Sequence, residues 1–445
     1  MPKPCRRKLL LLAESKPINL HLPRLFNLST RSFSRLQYDQ YRPRPAFTSP
    51  TRSHLRGKLV VRNSFQTRNM SMPADHKPSK TPLKTPAVPR PSASVLLISP
   101  TNQILLLHRV SKASSFASAH VFPGGALSKT HDGEIPDVND PARHRDGPAY
   151  RMAAVRETFE ECGILLAKSK KTGKLFTEIS DEEREQGRKD VHSGKIKFRD
   201  LLETWGAVPD TDALIPFTRW VTPGNVPKRF TTQMYIYFLP LGSTSPTKRA
   251  APKGTPPLAG LEQEDEIVIP KPTHDGGIEH TAARFLPPNK WIDLARQNRI
   301  ILFPPQFILT LLLSPYLAAS VTSPSSPTPS LSGLQAERDR CIEFLEKPRV
   351  YDGTPEVSFA EACISPLVLG KGEYGQSGQD GVGGVDKHTA VLALDRPGKE
   401  VEEQGQDRRG LREWVVTTKF KKEGPRDVDV RRRDEVLGRQ SGVKL

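Results

Sequence analysis

The chain has 445 residues, 42 of them proline, a hydrophobic fraction of 36% and a formal net charge of +18. Length alone allows two or three domains, while the proline content and modest apolar fraction mark much of the chain as linker. The charge argues against a basic nucleic-acid surface on the body of the protein: residues 1–72 hold about fifteen Lys/Arg against only Glu14 and Asp39, which leaves a balance near +5 for the rest.

Residues 1–72 are rich in Arg and Ser and poor in acids, the composition of a mitochondrial transit peptide. The apolar run 9–13 is too short for a secretory signal. A disordered basic tail, or a true start at Met70 or Met72, is the alternative. Residues 73–92 read as a Pro/Lys/Ser/Thr linker. Residues 94–98 and 104–109 flank Ser99-Pro100-Thr101-Asn102, so a β-hairpin opens a domain spanning 93–319. Residues 126–148 are polar, carry Asp, Pro and Gly, and read as an irregular inserted loop. A helix is expected over 149–166, with one or two charged surface helices over 179–204. Residues 218–241 look like paired strands around Pro223-Gly224-Asn225, and 242–260 like an exposed loop. A strand over 279–286 leads through Pro287-Pro288 into a helix containing Trp291 and Leu294.

Residues 300–319 are apolar, but Pro304, Pro305 and Pro315 interrupt them. The unbroken part is far short of the ~20 residues a bilayer needs, so a core helix over 306–314 is expected and no membrane span. A Ser/Pro/Thr linker covers 320–334. Residues 335–445 read as a small β-rich extension, with strands near 365–369, 389–394, 413–420 and 428–432 around a Gly-rich stretch, 370–384. Cys5, Cys162, Cys341 and Cys363 are scattered, with no zinc or disulfide spacing, as in a reducing compartment.

The most informative run is Arg156-Glu157-Thr158-Phe159-Glu160-Glu161-Cys162-Gly163. On a helix, Glu157, Glu160 and Glu161 fall at i, i+3 and i+4 and crowd one face, where like charges repel by a few tenths of a kcal/mol per pair. A hard divalent cation would offset that repulsion. Met152, Val155, Phe159, Cys162 and Leu166 make an apolar stripe on the opposite side. Upstream, Val121-Phe122-Pro123-Gly124-Gly125 ends in a turn whose glycines let backbone approach an ion or phosphate.

Turn and helix together resemble the Nudix hydrolase signature, whose second half matches from Arg156 to Ile164 except that Thr158 replaces an aliphatic residue. The first half departs from it. The stretch from Gly125 to Arg156 is about seventeen residues too long for the motif, and His131 stands where its first glutamate is due. Asp132, Glu134 and Asp137 are the alternatives for that role. Leu105-Leu106-Leu107-His108-Arg109, Phe116, Ala119-His120, Trp220-Val221-Thr222-Pro223, Arg229-Phe230-Thr231-Thr232 and Pro304-Pro305-Gln306 are similar to a subgroup with a long insert in the Nudix box. It includes coenzyme A diphosphatases of the Nudix motif nineteen type.

The resemblance implies an α/β/α sandwich with a mixed sheet, here with the C-terminal β appendage. It implies Mg²⁺ or Mn²⁺ on Glu157, Glu160 and Glu161, helped by a carbonyl near Gly124, with Arg156 holding Glu160. The implied reaction is hydrolysis of a diphosphate in a nucleoside diphosphate-linked small molecule, coenzyme A or an acyl-coenzyme A first, with no specific nucleic-acid partner. Glu279 is the expected base, and Gly125, Lys228 and Arg229 are expected on substrate phosphates. Another Nudix substrate (a dinucleotide, nucleotide sugar or capped RNA) or a degenerate binding module are the alternatives. Val443-Lys444-Leu445 resembles a peroxisomal address, ranked below mitochondria, with the cytoplasm as a further alternative.

Overall fold

The structure is a computed structural model. It describes residues 86–110, 118–241, 272–273, 280–317, 330–370, 385–386 and 388–437, all within one compact unit, Met72–Leu445. The expectations for residues 1–85, the loop 242–260, Glu279, most of the 320–334 linker, the Gly-rich stretch 371–384 and Val443-Lys444-Leu445 lie outside the described residues.

In chain order the elements are β1 (Arg90–Ile98), β2 (Ile104–Arg109), β3 (His120–Val121), β4 (Gly124–Ala126), α1 (Pro148–Cys162), β5 (Ala167–Ser169), α2 (Asp181–His192), α3 (Phe198–Thr204), β6 (Ala207–Pro209), β7 (Ile215–Val221), β8 (Phe230–Phe238), β9 (His280–Leu286), α4 (Pro288–Arg296) and α5 (Pro304–Leu313). The later segment adds α6 (Leu331–Glu346), β10 (Arg349–Tyr351), β11 (Thr354–Glu356), β12 (Cys363–Ile364), β13 (Leu367–Val368), β14 (Ala390–Ala393), α7 (Lys399–Glu403), β15 (Trp414–Lys421), β16 (Gly424–Arg432) and α8 (Arg433–Leu437).

The main sheet is mixed and runs β12-β7-β8-β1-β2-β3, with β4 also on β1 and β9 on β2. β1 lies parallel to β8 along its whole length, from Arg90 opposite Phe230 to Ile98 opposite Phe238. Its unbroken apolar run Val95-Leu96-Leu97-Ile98 is explained by burial on both faces. Val95, Leu97, Leu105 and Leu107 face a core with Val155 and Phe159 of α1. Leu96, Ile98, Ile104 and Leu106 face a second core with Trp291 of α4 and Phe307 of α5. Helices therefore cover both faces, as the α/β/α expectation required.

Helix α1 begins with Pro148 in its first turn and stops at Gly163, whose φ of 75° is the left-handed conformation that closes a helix cheaply only in glycine. It ends four residues before the predicted limit, and Leu166 reaches the same core from beyond the helix. Thr158 is fully buried, and its hydroxyl donates to the Ala154 carbonyl at 2.8 Å. That bond satisfies the polar atom in a position an aliphatic residue would otherwise fill.

Two sequence expectations change. The insert 126–148 is irregular as expected, but it is anchored: Leu127, Asp132 and His144 are buried, and residues Pro141–His144 form a 3₁₀ turn. Polar side chains tie it down where apolar area is scarce. Secondly, a 16-residue helix, α6, starts inside the expected 320–334 linker and runs through the start of the segment expected to be β-rich. Its Arg338 donates to Asn102 Oδ1 (2.8 Å) and to the carbonyls of Ser99 (2.8 Å) and Leu239 (2.7 Å), clasping the β1–β2 turn. The strands that follow do form, as the four-stranded sheet β13-β14-β15-β16. Leu392, Leu394, Val416 and Val428 join the core of α4 and α5, so the extension and the sheet share one interior. No helix among the described residues is long and apolar enough to cross a membrane.

Candidate active site

Arg156 organises the site. Its guanidinium is 4% exposed and meets Asp132 through two bonds, Nε to Oδ1 and Nη2 to Oδ2, both 2.8 Å. Nη1 lies 2.8 Å from Glu157 Oε1 and 2.9 Å from Glu160 Oε1. The i to i+4 reach to Glu160 is the one expected from the sequence. The paired grip by Asp132 is charge-assisted and planar, the geometry in which arginine is held most firmly. Asp132 is fixed in turn by the Ser128 amide at 2.7 Å. Of the three acids offered for the motif's first half, Asp132 alone comes to the helix; Glu134 and Asp137 are exposed.

The Gly-Gly turn closes against the same helix face. The Gly124 amide, rather than its carbonyl, makes the contact, donating to Glu161 Oε2 at 2.8 Å. A Cβ at Gly124 would fall 2.3 Å from the Ala93 carbonyl oxygen. One at Gly125 would fall 2.5 Å from the Glu157 carboxyl carbon and displace that carboxylate, whereas Gly124, with φ 155° and a backbone clash, requires glycine. Burial lifts the Glu157 carboxyl above the usual carboxylate range, Arg156 pulls it down, and Glu160 pushes it up again. Helix α2 contributes His192, whose Nδ1 stands 3.3 Å from Glu160 Oε2. It also contributes Arg188, which donates to the Glu160 carbonyl at 2.9 Å near the end of α1, where a cation complements the helix dipole.

The donor set suits a hard cation. Asp132, Glu157 and Glu160 surround Arg156 and Glu161 adjoins them on the Gly124 amide, so the cluster carries excess negative charge in a poorly hydrated setting. As described, the carboxylates are engaged by Arg156 and the Gly124 amide. No three His, Cys, Asp or Glu side chains among the described residues converge on one ion position.

Other expected residues fall elsewhere. Glu279 lies outside the described residues. Lys228 is exposed on the β7–β8 turn. Arg229 is buried, bonded to the carbonyls of Thr222 (2.9 Å) and Ala87 (2.8 Å) and ion-paired with Glu400. In this arrangement its Nε and Nη1 are engaged within the protein, and Glu400 of α7 is its ion-pair partner. Sequence reasoning missed the partnership of Asp132 with Arg156, for which the only signal was an acid seven residues after Gly125.

Residues 137–249 match the family model of the NUDT19 Nudix domain. The putative nudix hydrolase 7 of Caenorhabditis elegans is 34% identical over 148 residues, 33% of this chain and 43% of its own length. The acyl-coenzyme A diphosphatase NUDT19 of Xenopus laevis is 25% identical over 218 residues, 38% of this chain and 57% of its own. The chain thus spans about half the length of the curated relatives it matches. A NUDIX hydrolase crystal structure from Alicyclobacillus acidocaldarius aligns with 54% of this chain and 98% of its own, at 19% identity and a TM-score of 0.37. Family match, relatives and box residues agree: the segment around the glutamate helix is similar to the Nudix domains of these hydrolases.

Proposed function

We propose that the chain hydrolyses the P–O–P bond of a nucleoside diphosphate-linked small molecule, with coenzyme A or an acyl-coenzyme A as substrate and Mg²⁺ or Mn²⁺ as cofactor. The observation that carries this reading is the buried carboxylate cluster around Arg156, whose surplus negative charge calls for a cation. The preference for coenzyme A rests on similarity to the acyl-coenzyme A diphosphatases.

Glu157, Glu160 and Glu161 would hold the cation, which when bound neutralises diphosphate charge and acidifies a water. Arg156, gripped by Asp132, keeps Glu157 and Glu160 oriented on the same side of α1. Gly124 and Gly125 let the turn close on the helix, where it meets Glu161 and Glu157. The water oxygen bonds to one phosphorus, its proton passes to a carboxylate base for which Glu279 is our candidate, and the bridging oxygen leaves with the electron pair. Coenzyme A would yield adenosine 3',5'-bisphosphate and a phosphopantetheine. We assign residues 1–72 to mitochondrial targeting; a reporter fused to them that stays cytosolic, with a peroxisomal one fused to 434–445, would reverse that assignment.

The test is product release from a panel of coenzyme A, a dinucleotide, a nucleotide sugar and capped RNA, with Mg²⁺, Mn²⁺ or chelator, read by chromatography. Metal-dependent cleavage of coenzyme A is expected. Preference for another panel member would replace the substrate, and cleavage of none would make the domain a binding module.

A further inference from the structure

A polar segment as long as 126–148 holds one shape only if something outside it supplies bonds. At its near end Asp132 grips Arg156. At its far end, just before α1, Tyr150 and Arg151 supply local bonds to Arg143 and Asp146, and further ties come from residues far along the chain. Arg408 donates to the His144 carbonyl, and Gln406 Nε2 donates to the Pro141 carbonyl at 3.1 Å. Arg408 is itself seated by two bonds to the Glu361 carbonyl, at 3.1 and 2.9 Å. It is 6% exposed and forms no ion pair among the described residues. Burying a guanidinium without a carboxylate is costly, and the carbonyls it serves are what offset that cost. One of those carbonyls belongs to the insert and the other to the C-terminal extension. The next carbonyl of the insert, Arg145 O, receives Arg219 Nη2 at 2.7 Å, and Arg219 packs 4.5 Å from the Tyr150 ring in the first turn of α1. The far end of the insert is therefore fastened both to the extension and to the helix that carries the carboxylates.

The geometry points to a function for the C-terminal extension: Arg408, assisted by Gln406, is a positioning residue that braces the Nudix-box insert and so keeps Asp132 on Arg156. The catalytic part of this inference rests on the reading of the α1 face as the reaction site; the bracing part does not. Arg408 touches neither substrate nor the reacting atoms and acts through the insert.

Hydrogen exchange on the full chain tests the brace without reference to activity. In Arg408→Ala, amides of residues 127–147 should exchange at least ~10-fold faster, with those of β1 and β8 unchanged. Unaltered exchange in the insert would overturn the brace. Should circular dichroism show that this variant is unfolded, Arg408→Lys and Gln406→Ala decide instead. Lysine keeps the charge but loses the fork, and about 3-fold faster exchange over 141–147 is expected in each; no change in either overturns the proposal. Coenzyme A turnover then tests the route. Arg408→Ala should lower kcat about 10-fold in the wild-type background and under ~3-fold in Asp132→Asn, because the two act in series. Equal losses in both backgrounds would show that Arg408 does not act through Asp132. A wild-type chain that cleaves no diphosphate would sink the proposed function and leave the exchange result to judge the brace.

Discussion

Arg156 and Arg219 are both nearly inaccessible, 4% and 0% exposed, yet they keep different company. Arg156 is ringed by carboxylates, and its neighbourhood has more negative charge than one guanidinium neutralises. Arg219 is ringed by neutral acceptors: Thr231 Oγ1 at 3.2 Å, Gln233 Oε1 at 3.0 Å and the Arg145 carbonyl, with the Tyr150 ring beneath it. The first arrangement leaves like charges close together around one guanidinium. The second meets its two terminal nitrogens with neutral acceptors and carries no carboxylate. Charge imbalance under burial, rather than burial of charge as such, is what singles out the α1 face as the candidate site.

The sharpest way to break that contrast is to remove charge from the carboxylate side. Glu160→Gln or Glu161→Gln should lower kcat at least ~100-fold, on the order of 3 kcal/mol, with the circular dichroism spectrum unchanged. Near-wild-type turnover in both would mean that the cation sits elsewhere. On the lattice side, Arg219→Met should act on stability instead. It strips bonds from two buried acceptors, Thr231 and Gln233, and from the part-buried Arg145 carbonyl, and should cost roughly 3 kcal/mol in urea denaturation. A variant of unchanged stability would show that Arg219 is dispensable to the lattice.

Acid provides a second handle on the lattice. His144 is buried beside Thr231 Oγ1, and burial, reinforced by Arg219, lowers its pKa from 6.5 to about 4. The unfolded chain takes up this proton below pH 6.5, whereas the folded chain waits until about 4. The stabilising contribution is therefore complete above pH 6.5 and is lost as pH falls through that window, by up to ~3 kcal/mol. His120, lowered to about 4 mainly by burial, titrates over the same range. His144→Gln should therefore remove part of the acid slope of the urea midpoint between pH 6.5 and 4, and an unaltered slope would contradict a neutral His144. The smallest expected effect belongs to Asp132→Asn. It keeps a hydrogen-bonding shape but lowers the charge holding Arg156, and kcat should fall about 10-fold, near 1.4 kcal/mol. A fall as deep as that of Glu160→Gln would make Asp132 a ligand rather than a positioning group.

What could be read from the sequence was local. The β1–β2 hairpin, the β7–β8 pair, α1 and α5 each announce themselves through periodicity and turn residues within one element, and the structure has them near the expected limits. The reach of Arg156 to Glu160 follows from helical spacing alone. Asp132 could only be offered among three acids, because its arrival at Arg156 depends on how a long insert folds back. Arg229 looked like a phosphate binder because a cation beside a turn is usually exposed; its ion-pair partner, Glu400 of α7, lies some 170 positions away. Helix α6 was legible in principle, since Leu334, Cys341 and Leu345 recur at helical spacing, but the Ser/Pro-rich approach concealed its start.

The two-residue strand β12 has a further consequence. Cys363 and Ile364 pair in parallel with Arg219 and Trp220, so they occupy the outer edge of β7. Without them the N–H and C=O groups of that strand would be left as an open template, beside the apolar surface that Phe359 and Leu394 cover. Such an edge invites another chain to pair with it. A fragment cut after α5, though it would retain the whole glutamate helix, should associate into aggregates on purification. Such aggregation would place the practical boundary of the folded unit well beyond residues 137–249, the segment that matches the family model.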